Sequence, residues 1–237
     1  MTTTPTLIYA MVPDEPTSFK NFFATGPIHE SLEKPGQLRY AGWDLDTQDR
    51  VRIVKGEYLE VKAANRKSLQ LYEDGSLIVR VSAGPDYLSW GQNEDVFENN
   101  PRLNPLALIE FTLHFALLCS RLVPHLAPRP QTISLLFEMQ NAFLPNGKKL
   151  YLGAGRLSRM GFFNFGERRD APEPTVRKEI RETTADVELR PAEVAYRLVA
   201  RIYNWFGHPN NNIPYVAAVA TGSAFIDADQ IINATAD

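Results

Sequence analysis

The chain has 237 residues, 25 Lys+Arg against 28 Asp+Glu, 44% hydrophobic residues and a single Cys. That is too apolar for a disordered chain, and one Cys makes neither an internal disulfide nor a thiolate zinc site. A net charge of −3 argues against a general nucleic-acid coat protein while leaving room for a local basic patch.

The N-terminus lacks a basic segment, and the apolar run Leu7 to Val12 is too short for a signal peptide. Within 13–37 the spacing predicts a short helix capped by Thr17 or Ser18, with Phe19, Phe22 and Phe23 on one face. From Arg50 to Ser82 the pattern is β. Its clearest part is Ser68–Glu73 and Ser76–Ser82 flanking Asp74-Gly75, which predicts a hairpin with a type I′ turn. Residues 83–103 read as a loop pinned by Tyr87, Trp90 and Phe97.

Asn104 as cap and Pro105 as first residue open a helix that runs to about Val123. Apolar residues surround it almost completely, which marks a buried central helix. Glu110, His114 and Arg121 interrupt it, so it reads as a core element rather than a bilayer span. Thr132 to Met139 reads as a strand, Leu144–Gly147 as a turn and Lys149–Leu157 as the return strand. Residues 159–175 read as a loop and 176–189 as a strand. Pro191 opens a second long helix that ends at Gly207.

Strands arrive in runs rather than one per helix, so the expected class is α+β, with largely antiparallel sheet packed by helices at about 104–123 and 191–206. One domain over 1–237 is expected. It divides into two strands-then-helix halves, about 40–125 and 130–207, followed by a C-terminal extension, 208–237.

Three constellations carry candidate chemistry. Asp44 with Glu60-Val61-Lys62 has the shape of a PD-(D/E)xK nuclease signature, in which two carboxylates hold a metal and the lysine stabilises charge. The plainer account is the charged face of an edge strand. Glu110 and His114 share a helix face at i, i+4, as an acid–base pair or as a polar pair at a helix seam. Arg156, Arg159, Arg168 and Arg169 surround Phe162, Phe163 and Phe165, a combination able to bind an anion and stack a base. Cys119 lies among leucines and reads as a small buried hydrophobe.

The stretches Arg66–Gly75, Leu103–Glu110 and Pro191–Leu198, the last leading to Phe206-Gly207, together resemble the C-terminal half of bacterial AlbA-type, Schlafen-like DNA-binding proteins. The resemblance covers roughly residues 60–207. The Asn-Thr-Gly-Gly strand–turn of the AlbA-like domain has no match here. The resemblance therefore implies an accessory, regulatory half, and transfers neither DNA binding nor any functional residue.

The expectation is a non-enzymatic binding or regulatory module of a bacterial cytoplasmic protein. Its site would be the 156–169 loop, its partner an anionic ligand, nucleic acid or protein, with no cofactor, no metal and no membrane. A metal-dependent nuclease built on Asp44, Glu60 and Lys62 is the alternative, and a structural subunit of a homo-oligomer the second alternative.

Overall fold

The computed structural model describes residues 4–39, 42–63, 66–153, 167–218 and 222–234. The first strand, β1 (Thr6–Pro13), alternates Leu7, Tyr9 and Met11, all buried, with partly exposed Thr6, Ile8 and Ala10. A two-residue strand, β2 (Ser18–Phe19), and a turn follow, and the helix α1 comes later, at Pro27–Glu33. This corrects the expected helix around Phe19–Phe23. Phe19 and Phe22 are buried and stack with ring centroids 5.9 Å apart, but from an irregular segment. Aromatic residues at helical spacing mark burial here without the helix.

Four antiparallel strands come next: β3 (Arg52–Val54), β4 (Tyr58–Ala63), β5 (Lys67–Tyr72) and β6 (Leu77–Ser82). The β5–β6 turn is not type I′. Of Asp74 and Gly75 only the glycine has positive φ, at 85°. The Gly75 N–H donates to the Tyr72 carbonyl, and the Tyr72 N–H to the Ser76 carbonyl, so three residues make the turn and the αL glycine closes it as a bulge. Within the expected 83–103 loop stand α2 (Glu94–Asn99) and β7 (Arg102–Leu103).

The central helix α3 (Pro105–Leu122) is capped by Asn104, whose side chain accepts from the N–H groups of Leu106 and Ala107. Counted through to His125, it is long and apolar enough by composition to cross a bilayer, yet 83% of that window is buried inside the fold. Then come β8 (Leu126–Ala127), β9 (Thr132–Gln140), β10 (Tyr151–Gly153), β11 (Arg168–Asp170) and β12 (Val176–Thr183). The return strand expected at 149–157 does not pair with β9. Its described part, β10, joins β7 and β11 in a separate three-stranded sheet, because β1 and β12 already occupy both edges of β9. The strand expected over 176–189 stops at Thr183, whose hydroxyl caps the helix α4 (Thr184–Leu189). The last elements are α5 (Pro191–Trp205), β13 (Val216–Ala218), β14 (Ala224–Ile226) and α6 (Ala228–Asn233).

The main sheet has seven strands in the order β12-β9-β1-β6-β5-β4-β3, and every neighbouring pair in it is antiparallel. The expected α+β class is the observed one. The sheet draws β3–β6 from the 40–125 half and β9 and β12 from the 130–207 half. Ile213, Tyr215, Ile226 and Ile231 of the last segment are buried in the same core.

Because strand side chains alternate faces, the pleat sorts the sheet into two chemistries. Leu7, Tyr9, Met11, Leu59, Val61, Leu69, Leu71, Leu77, Val79, Leu135 and Phe137 line the inner face that packs with α3 and α5 into one buried core. Each such side chain contributes about 1.5–3 kcal/mol of burial. The outer face carries Glu60, Lys62, Ser68, Gln70, Arg80 and Glu138.

Candidate ligand cleft and buried charge cluster

Register places Lys62 opposite Ser68, and Ser68 opposite Arg80, so the three form one row across β4, β5 and β6 on the outer face. Their neighbours hold them in place. Arg80 Nη1 donates to Gln70 Oε1 at 2.6 Å, Gln70 Nε2 donates to Glu60 Oε1 at 3.0 Å, and Lys62 Nζ lies 3.2 Å from Glu60 Oε2. One carboxylate thus anchors two chains of contacts. Exposed Arg66 stands beyond the row with no side-chain partner among the described residues.

These residues line a cleft of about 600 Å³. Helix α2 contributes to the same lining. The Asn93 side chain caps that helix by accepting from the Val96 N–H at 2.8 Å, and buried Phe97 ties it to the core. Glu94 and Glu98, at i, i+4, therefore share a face, and both line the cleft. Asp86, which accepts from the Ser82 hydroxyl at 2.6 Å, adds a third acid. The lining thus takes its cations from the sheet and the turn before β5, and two of its three acids from α2. Hydroxyls of Thr4, Thr6, Ser68 and Ser82 join them, and the lining contains neither His nor Cys.

On the inner face, just beneath, lies a cluster of buried charge. Lys67 follows the strand alternation inward with Leu69 and Leu71. Its ammonium donates to the Asp44 carbonyl at 2.9 Å and to Asp44 Oδ1 at 3.1 Å, and it sits 5.3 Å from the Tyr87 ring centroid. The Tyr87 hydroxyl donates to the same carbonyl at 2.6 Å. Burial lowers the Lys67 pKa and Asp44 opposes the shift. On α3, fully buried Glu110 accepts from Arg39 at 2.7 Å. Burial raises the Glu110 pKa against the pull of Arg39. His114, one turn on, is buried with neither ring nitrogen hydrogen-bonded among the described residues. Burial pushes its pKa down to about 4, with Lys67, Arg121 and Arg39 adding to the shift and Asp44 opposing it. Cys119, in the last turn of the same helix, is buried, and its thiol pKa is raised by that burial.

Of the residues expected to bind in the 156–169 loop, Arg156, Arg159, Phe162, Phe163 and Phe165 lie outside the described residues. Arg168 and Arg169 are on β11 and are engaged locally. Arg168 Nε is 2.7 Å from Asp170 Oδ1, a second guanidinium nitrogen donates to Asn100 at 2.8 Å, and the group lies over the Tyr151 ring. Arg169 pairs with Glu167 at 2.6 Å.

The nuclease constellation is not brought together. Glu60 and Lys62 project from the outer face of β4, while Asp44 holds Lys67 on the inner face, so the sheet separates the two carboxylates. Glu110 and His114 do share a face, as i, i+4 requires, but Glu110 spends its contact on Arg39 rather than on the histidine. Sequence reasoning missed Lys67, Arg80, Glu94 and Glu98. One signal was available: Lys67 occupies the apolar phase of a strand whose other members are Leu69 and Leu71, and a lysine there needs a buried acid.

No protein-family model matches the chain, and no curated protein matches it. The resemblance to AlbA-type proteins accordingly carries no part of the functional reading.

Proposed function

We propose that this protein is a non-enzymatic binding or regulatory module, and that its ligand is a small zwitterionic molecule held in the cleft between the sheet and α2. The observation that carries the reading is the mixed charge of the lining: Lys62, Arg66 and Arg80 come from the sheet and its turn, and Glu94 and Glu98 from α2. An anionic group pairs with the guanidinium side, where Arg offers several N–H donors in a fixed fork. A cationic group meets the two glutamates. The volume falls within the range of small-molecule sites, roughly 300–1,000 Å³, and Phe97, Leu144 and Pro85 supply apolar surface between the charges.

The test is isothermal titration calorimetry with a set of dipeptides as zwitterionic probes, and with inorganic phosphate and a polyamine as single-sign controls. Arg66 and Glu98 are exposed, so Arg66→Ala and Glu98→Gln leave the fold intact. Dipeptide binding that weakens about tenfold in each variant supports the reading, since a charged hydrogen bond is worth about 1.5–3 kcal/mol. No heat at about 10 mM dipeptide, or binding unchanged in both variants, overturns it. Phosphate binding alone overturns the zwitterion assignment.

A further inference from the structure

The sheet ends at β12, and among the described residues nothing pairs with its outer edge. Natural edges of this kind are usually blunted by charge. The charges on β12 are arranged in a way that blunting does not require. Reading Lys178-Glu179-Ile180-Arg181-Glu182 backwards gives the opposite charge at every position, with Ile180 at the centre.

We propose that β12 pairs antiparallel with β12 of a second copy of this chain, about a two-fold axis at Ile180, so that two seven-stranded sheets become one continuous sheet. The register follows from the backbone. In an antiparallel pair, directly opposed residues either exchange hydrogen bonds or both turn away, and this alternates along the strand. A two-fold axis relating the strands must therefore pass through a residue pair, not between two residues. Centred on Glu179, the strand sets Glu179 against itself and Arg177 against Arg181. Centred on Arg181, it sets Arg181 against itself and Ile180 against Glu182. Centred on Ile180, it sets Lys178 against Glu182 and Glu179 against Arg181, twice each, with Ile180 meeting its own copy on the inner face. Only this last arrangement is free of like-charge contacts, which destabilise cross-strand pairs.

Side-chain exposure agrees. Arg177, Lys178, Glu179 and Arg181 are exposed, whereas Ile180 is buried at the margin of the core. Intrachain contacts already hold part of the set in place: Arg197 grips Glu182 through two bonds of 2.6 and 2.7 Å, Arg181 Nε lies 2.9 Å from Asp14, and the Ser134 hydroxyl donates to Glu179 at 2.7 Å. Lys178 has no ion-pair partner among the described residues and gains one in the dimer. This dimer does not depend on the cleft, which lies at the β4–β6 part of the sheet.

The test is analytical ultracentrifugation of the full chain, with circular dichroism as a check on folding. The wild type is expected to sediment with twice the mass of the chain. Arg181→Glu and Glu179→Arg each place two like-charge pairs across the axis and should weaken association by about tenfold or more. The double variant Glu179→Arg with Arg181→Glu restores opposite charges and should restore the dimer, although it lacks the Arg181–Asp14 pair. A wild type that is monomeric at about 100 μM overturns the proposal. So do single variants that associate like the wild type, and a folded double variant that stays monomeric.

Discussion

His114 should make the stability of this protein depend on pH in a way that one substitution removes. The imidazole is buried on α3 without hydrogen-bond partners among the described residues, and its pKa falls from 6.5 to about 4, first through burial and then through Lys67, Arg121 and Arg39. The folded state therefore keeps it neutral where the unfolded chain would protonate it. A depressed pKa on a base gives stability that is complete above the unfolded value and is lost as pH falls toward the folded value. The window is about pH 6.5 to 4, and at about 1.36 kcal/mol per pKa unit the loss attributable to this group is about 3 kcal/mol. Burial also raises the Glu110 pKa, so the informative quantity is a difference between two proteins. His114→Leu keeps the site filled and apolar. Urea unfolding, followed by circular dichroism at pH 7, 6, 5 and 4, should show the wild type losing about 3 kcal/mol more than the variant. At pH 7 the variant should be as stable as the wild type or more so, because two unpaired buried nitrogens are gone. Stability curves that run parallel within about 1 kcal/mol from pH 7 to 4 would refute the reasoning.

Two further outcomes follow from the buried groups. Lys67→Met leaves the Asp44 carboxylate buried without its cation and should cost about 3–5 kcal/mol, whereas adding Asp44→Asn should recover a large part of the loss; urea midpoints of the single and double variants measure both. Asn104→Ala removes the side chain that accepts from Leu106 and Ala107 at the fully buried start of α3 and should cost about 1–2 kcal/mol, read from the same unfolding transition.

The fold was more legible than the site, for reasons that individual elements show. Asn104-Pro105 and Pro191 start helices through local backbone chemistry, so both long helices could be placed from sequence. The alternation from Ser68 to Ser82 fixed a hairpin, but the turn type depends on the conformation of Asp74, which Asp-Gly alone does not determine. Strand β1 lies near the middle of the sheet, yet the sequence does not mark it, because a short apolar run near an N-terminus looks the same whether it pairs or not. The partners of β9 are hidden in the sequence for a related reason. Strand pairing is a long-range property, and β1, more than a hundred residues earlier in the chain, took the place expected for the return strand. The cleft depends on this non-local assembly. Lys62, Ser68 and Arg80 come into one row only through register, and Glu94 and Glu98 join the same lining only because Phe97 anchors α2 in the core.

The distribution of charge explains why a chain with net charge −3 is a reasonable host for an anionic group. Several arginines are committed within the fold: Arg39 to Glu110, Arg52 to Asp49, Arg129 to Glu188, Arg168 to Asp170, Arg169 to Glu167, Arg181 to Asp14 and Arg197 to Glu182. A paired guanidinium contributes little field beyond its partner, and salt screens exposed pairs over about 10 Å. Net charge is thus a poor guide to potential at any one place. Arg80 is held by the neutral side-chain oxygen of Gln70 rather than by a carboxylate, so it keeps its positive charge while its position is fixed. Arg66 adds a second cation at the same cleft. Of the four arginines that the sequence reading singles out, Arg168 and Arg169 are among those whose charge is already answered, and Arg156 and Arg159 lie outside the described residues. Runs of arginine identify where positive side chains are dense, but a site requires positive charge left over after pairing, and at the cleft that charge is carried by Arg80 on β6 and Arg66 in the turn before β5.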